Sequence, residues 1–277
     1  MASGLNNGSA GLGSGNPGLY GGNSGLWSGY SGLQSGSFNP ASLFTGGYKG
    51  VVFDFNDAAN VFQDTAGTTP VVNNSVVARV NDLSGNGANA LQATAANQPL
   101  YKTAPKGRVL FDGVDDILQT AAVNMSATDE VTVILGLQKL TDAAATQIVI
   151  ENFLGGGSFR IYVPAAGTGY NYGMTGSASS DSVATGFAAP ATSVVTGLGK
   201  ISTDTNIVRV NGVQKASVAT DQGTGNMGNF AIGLGERIGG TLPFSGSVFA
   251  LIIINRLLTG SDLAAAEAWV NTRTGAF

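Results

Sequence analysis

Three groups of residues in this chain carry chemistry. Asp112, Asp115 and Asp116 stand together in FDGVDD, an oxygen-only donor set of the kind calcium takes. The same short spelling also suits a tight turn whose carboxylates bond their own backbone. Tyr170, Asn171 and Tyr172 in GTGYNYGMTG set two rings around an amide, a composition suited to stacking on a sugar ring and equally to ordinary aromatic packing at a strand edge. The four glutamates, Glu130, Glu151, Glu236 and Glu267, are far apart in sequence, whereas a retaining glycosidase needs two carboxyls about 5 to 5.5 Å apart. Cysteine and histidine are both missing from the composition. That excludes disulfides, thiolate metal sites, the Ser-His-Asp triad and the commonest zinc ligand. No phosphate-cradling Gly-rich loop is spelled out either. The expectation is a binding or structural protein, not an enzyme, with no cofactor beyond calcium at the three aspartates.

Charge narrows the partners. The net charge is −4 and the 13 basic residues are scattered singly, so no cationic stripe faces a polyphosphate backbone and nucleic acid is not an expected partner. Charged residues make up only 11%, which leaves less repulsion between copies than an ordinary soluble surface provides. The longest apolar run, 248–254, is strand-sized, far short of the roughly 18 residues a membrane span needs. The start, MASGL, has neither a basic n-region nor an apolar h-region, and a cleavable secretory signal is not expected. Synthesis and retention in a cytoplasm until assembly or lysis follows as the expectation.

The elements that must position these groups divide in two. From Gly4 the chain reads GLNNGSA, GLGSGNP, GLYGGNS, GLWSGYS, GLQSGSF, a seven-residue repeat that places Leu5, Leu12, Leu19, Leu26 and Leu33 in register. Its glycines alternate spacings of four and three, which fails the collagen requirement, and about 1 kcal/mol of helix cost per Gly argues against a coiled coil. A flexible tether has no use for a leucine every seven residues. Five leucines with Trp27, Tyr20 and Tyr30 cannot bury themselves in so short a Gly-rich stretch. Residues 1–38 are therefore read as an extended assembly arm that docks on other copies of the chain or on partner proteins. Residues 39–50, with Pro40 and Gly46-Gly47, read as a hinge.

From residue 51 onward, β-branched and aromatic runs alternate with Gly, Asn, Asp and Ser turns. The expected strands are 51–55, 76–80, 109–111, 131–137, 147–150, 159–163, 207–210, 213–218, 230–234 and 248–254, the spacing of a sandwich or barrel. Asn211-Gly212 spells a two-residue hairpin turn. One helix is written at 260–274, with Thr259 as N-cap, Asp262 completing a variant capping box, and Gly275 as the stop. Leu263, Ala266, Trp269 and Val270 share one face, which predicts a core role for Trp269.

Several of these stretches carry a resemblance. VLFDGVDD (109–116), VRVNGV (208–213), FSGSV (244–248) and INRLLT (254–259) resemble the signatures of concanavalin A-like, laminin-G/pentraxin-type domains. FQDTAGTTPV (62–71) and DLSGNGANALQAT (82–94) are similar to the lead-in found before such domains in bacteriophage and prophage structural proteins. The resemblance covers about residues 51–275. It implies an all-β, two-sheet antiparallel jelly-roll sandwich over 51–277 with one C-terminal helix. It also lacks the Glu-x-Asp-x-x-Glu arrangement of glucanases that share the fold. The function it implies is a virion structural protein, a decoration, fibre or tail component, that displays a lectin-like domain either to bind a cell-surface glycan or merely to decorate the particle. A carbohydrate-binding adhesin and a subunit of an extracellular or cell-surface filament stand as the alternatives.

Overall fold

Every strand pairing among the described residues is antiparallel, and the strands fall into two large sheets and one two-stranded ribbon, Val123–Asn124 with Asn229–Phe230. The computed structural model describes residues 38–152 and 155–277; the leucines of the arm and Trp27 lie outside them. The helix-side sheet runs Val213–Val218, Thr205–Val210, Ala191–Lys200, Glu130–Lys139, Ser245–Ile254, Arg108–Asp112 and Leu100–Lys102, with Gly50–Asp54 pairing the far half of Ser245–Ile254. The open sheet runs Ser179–Ala184, Tyr170–Thr175, Ser158–Val163, Gln147–Glu151, Gly233–Leu234, Leu118–Thr120, Ala90–Leu91, Arg79–Val80 and Val61–Phe62. This is the jelly-roll sandwich the motifs implied.

The core lies between the sheets and is built from alternate residues of both: Phe53, Phe55, Phe111, Val133, Leu135, Phe159, Ile161 and Leu251 are all essentially inaccessible. The two sheets differ in what covers their outer faces. Glu130–Lys139 and Ser245–Ile254 are buried along nearly their whole length, the pattern of a strand covered on both sides. Their cover is helix α1, Gly260–Thr274, which packs across these two strands and Ala191–Lys200. Gly136 makes room for it, since a Cβ there would collide with the Thr274 hydroxyl. Leu263, Ala266, Trp269 and Val270 face inward as the periodicity required, and the Arg273 guanidinium lies 4.0 Å from the Trp269 ring centre.

Local punctuation matches the spelling at several points. Asn211 and Gly212 both have positive φ, 53° and 73°, as a hairpin turn of that type requires. Gly275 stops α1 at φ 71°. The helix start differs from expectation: Thr259 makes no side-chain capping bond. The chain instead enters through Gly260 at φ 53°, and Asp262 is drawn 2.9 Å from Arg256. Residues 39–50 also differ from the hinge expected of them. Pro40–Phe44 is a 3-10 turn capped by Asn39, with Leu43 and Phe44 buried against α1 and Ser245–Ile254. Lys49 is then clamped to Asn255 through two hydrogen bonds of 2.7 and 2.9 Å.

Candidate functional site

The three residues expected to hold a sugar are not on a surface. Tyr170, Asn171 and Tyr172 belong to the strand Tyr170–Thr175, with Tyr170 and Tyr172 at 0% exposure and Asn171 at 8%. Tyr170 donates from its hydroxyl to Ser193 Oγ across the sandwich, 3.1 Å, and burial pushes its pKa up to about 12. The Tyr172 ring lies against Gly197, where any Cβ would strike it, and burial raises its hydroxyl further. Strand parity explains the correction: residues two apart share a face, and this face points into the core.

The three aspartates do come together. Their carboxylate oxygens lie within 4.8 Å of one another, and the oxygens are hard donors of the kind that would hold calcium. Two of them also build the turn. Asp112 Oδ1 accepts from Val114 N and Asp116 Oδ2 from Asp112 N, both 2.8 Å, while Gly113 takes φ 81° with its Cβ position close against Ser245. Burial, and after it the charges of Asp112 and Asp115, pushes Asp116 up to about 6 against the turn amide that favours its ionised form. Asp64, in the GTT turn, shows the opposite balance. The amides and hydroxyls of Thr68 and Thr69 hold it down at about 2.

A cleft opens on the outer face of the open sheet, about 260 Å³, lined by Thr146, Ile148, Arg160, Tyr162, Arg237 and Leu242. Parity places Arg160 and Tyr162 outward on Ser158–Val163 while Phe159, Ile161 and Val163 fill the core. The partner strand carries a bulge between Ile148 and Ile150, a device that re-aims side chains at a sheet surface. Arg160 stacks 5.0 Å from the Tyr162 ring centre and pairs with Asp181 at 3.3 Å. Asn171 Nδ2 donates to the Tyr162 hydroxyl, 2.9 Å, so one member of the expected trio braces the ring that is accessible. Arg237 is set by Glu151, fully buried, whose carboxylate accepts from Arg237 Nε at 3.5 Å and Ile238 N at 3.3 Å. Burial raises Glu151 and the arginine opposes it. A ring, two guanidinium groups and a hydroxyl around an accessible hollow are binding groups; no carboxylate is among the lining residues. The signal in the sequence was the alternation of SFRIYV, in which the charged and aromatic residues fall on one parity.

A second cleft, about 370 Å³, adjoins the first through Thr146 and Leu242, and is lined further by Asp112, Gly113, Thr141, Gln147, Pro243 and Ser245 among others. The acidic turn thus reaches a wall of this hollow.

No sequence family matches the chain, and no curated protein matches it in sequence. Solved structures do. The binding domain of botulinum neurotoxin serotype G superposes with a TM-score of 0.57 at 10% identity, covering 80% of this chain and 51% of that one. The serotype D binding domain gives 0.55 at 11%, covering 78% and 51%. The binding domain of Paraclostridial Mosquitocidal Protein 1 gives 0.53 at 14%, covering 70% and 49%. The chain spans about half the length of these structures. At such identities the likeness establishes the fold, an antiparallel jelly-roll sandwich, and the site must be argued from its own residues.

Proposed function

We propose that this chain is a non-enzymatic attachment subunit of a bacteriophage virion, anchored through residues 1–38 and binding a cell-surface glycan at the Tyr162 cleft. The observation that carries the binding half is the sheet face, covered by no α-helix among the described residues, on which Tyr162, Arg160 and Arg237 surround one hollow. The three structural neighbours described above are binding domains, which favours the same reading. The virion half rests on the Gly-Leu heptads and on the phage-type spelling of 62–71 and 82–94.

The full chain on a glycan panel tests the binding half. Binding is expected, with Tyr162→Ala weakening it about tenfold, in line with an aromatic contact of roughly 0.5–1.5 kcal/mol. No binding to any glycan overturns it. For the anchor, Leu19→Ser with Leu26→Ser should cut incorporation into particles in competition with wild type, each buried leucine contributing roughly 1.5–3 kcal/mol. Equal incorporation refutes the anchor.

A further inference from the structure

The two clefts adjoin, Thr146 and Leu242 lining both, and a ligand that crosses this boundary would use them as one groove. Their linings differ in the charged groups they present, each guanidinium at Tyr162 being held by a carboxylate behind it. The half at Tyr162 is lined by two guanidinium groups and no carboxylate. The other half is lined by the Asp112 carboxylate and no cation, with Asp115 and Asp116 adjoining Asp112. Between them stands Leu242 at φ 60°, a conformation that bulky residues seldom adopt. Its carbonyl accepts from Ile148 N at 2.9 Å, which locks the strained residue in place. Strain held at a junction of this kind is a mark of sites where geometry matters. Volume adds a bound: the cleft at Tyr162, about 260 Å³, lies below the usual range of ligand pockets, about 300–1,000 Å³, so a ligand larger than one sugar seated there would extend into the adjoining cleft of about 370 Å³.

Building on the glycan-binding reading, we infer that the groove takes an oligosaccharide in one direction only, with a terminal carboxylated sugar at the Arg160–Tyr162–Arg237 half and uncharged sugars beyond Leu242. A planar guanidinium fork matches a sugar carboxylate in a way that a point charge does not. Asp181 and buried Glu151 brace these two arginines from their own sides. In the second half Gln147 is pinned, accepting from Ser245 N at 2.8 Å and donating to Thr141 Oγ1 at 3.3 Å. Asp112, exposed at the rim, accepts sugar hydroxyls and repels a second acid. Uniformly anionic chains are therefore disfavoured, and so are neutral ones.

The test sorts the panel into neutral glycans, glycans ending in one carboxylated sugar (sialylated and glucuronylated arms kept separate), and polyanions such as oligogalacturonate. Acid-terminated glycans should bind at least tenfold more tightly than their neutral cores, than the free acidic monosaccharide and than the polyanions. Arg160→Gln should remove the preference over the neutral core, and Arg237→Lys, which keeps the charge beside Glu151 but loses the fork, should reduce it. Ala145→Trp, on the exposed loop lining the second half, should remove the advantage over the free acid while leaving the free acid's own binding unchanged. Preference for neutral or polyanionic glycans, or an unchanged preference in Arg160→Gln, overturns this inference alone. No binding at all overturns it together with the reading beneath it.

Discussion

The outer faces of the two sheets received opposite treatment. On the helix-side sheet, α1 covers strands that are apolar on both parities, and Ile134 and Ile252 are as inaccessible as the inner Val133 and Leu251. On the open sheet no long helix packs among the described residues, and the outward parity carries Arg160, Tyr162, Asp181 and Val183, each with accessible surface. Substitutions on the covered face should therefore act through stability, and those on the open face through binding.

The largest effect is expected from Trp269→Ala, which removes the widest side chain between α1 and its sheet. Roughly 3–5 kcal/mol should be lost, seen as a lower chemical-denaturation midpoint; a change under 1 kcal/mol would show that the helix is not part of the core. Next is Asp116, in the acidic turn with Asp112 and Asp115. Its carboxyl titrates at 3.8 unfolded and about 6 folded, so between those values the folded state holds more protons and stability falls as pH rises. The shift of roughly two units sets a ceiling of about 3 kcal/mol. Glu151 and Glu236, also raised by burial, act in the same direction. Asp64, held down, loses its contribution only as pH falls below 3.8 toward 2. Stability should peak on the acid side of neutral, and Asp116→Asn should flatten the decline between pH 4 and about 6. Excess calcium at pH 7 sharpens this. It should raise the wild-type melting temperature and leave Asp116→Asn unmoved where the three aspartates hold the ion, and move neither protein where they only close the turn.

A smaller loss, about 1–3 kcal/mol, is expected for Gly197→Ala, whose methyl would drive into the Tyr172 ring. An unchanged melting temperature would show that the sheets separate there at little cost. The smallest is Tyr162→Ala, expected to cost about 1 kcal/mol of stability, the scale of its lost hydrogen bond to Asn171, while lowering glycan binding tenfold. A large stability loss would place Tyr162 with the covered face and break the contrast.

Much of the fold was legible wherever the signal is local. All ten expected strands are present in some form, the Asn211-Gly212 turn has the backbone its spelling demands, and SFRIYV carries its inward and outward residues in its alternation. Strands whose signal is not local escaped. Ala191–Lys200, ten residues long, reads as Ser, Thr and Gly among few apolar residues, because Gly197 and Gly199 are small only to admit Tyr172 and Met174 from the opposite sheet. The apparent hinge at 39–50 escaped for the same reason: Leu43 and Phe44 find their partners on α1 and Ser245–Ile254, some two hundred residues away.

The same division holds for the site. By itself the sequence determined an all-β body, its turns, its one long helix and the poverty of catalytic side chains, because each follows from backbone preference, periodicity or composition. It could place two tyrosines on one parity of a strand and a third on one parity of its neighbour. Which parity met the core was decided only when the sheets stacked, burying Tyr170 and Tyr172 and leaving Tyr162 accessible. The groove belongs wholly to tertiary structure. Its walls come from 112–113, 141–148, 160–162 and 237–245, brought together because antiparallel strands return distant loops to the same end of the sandwich.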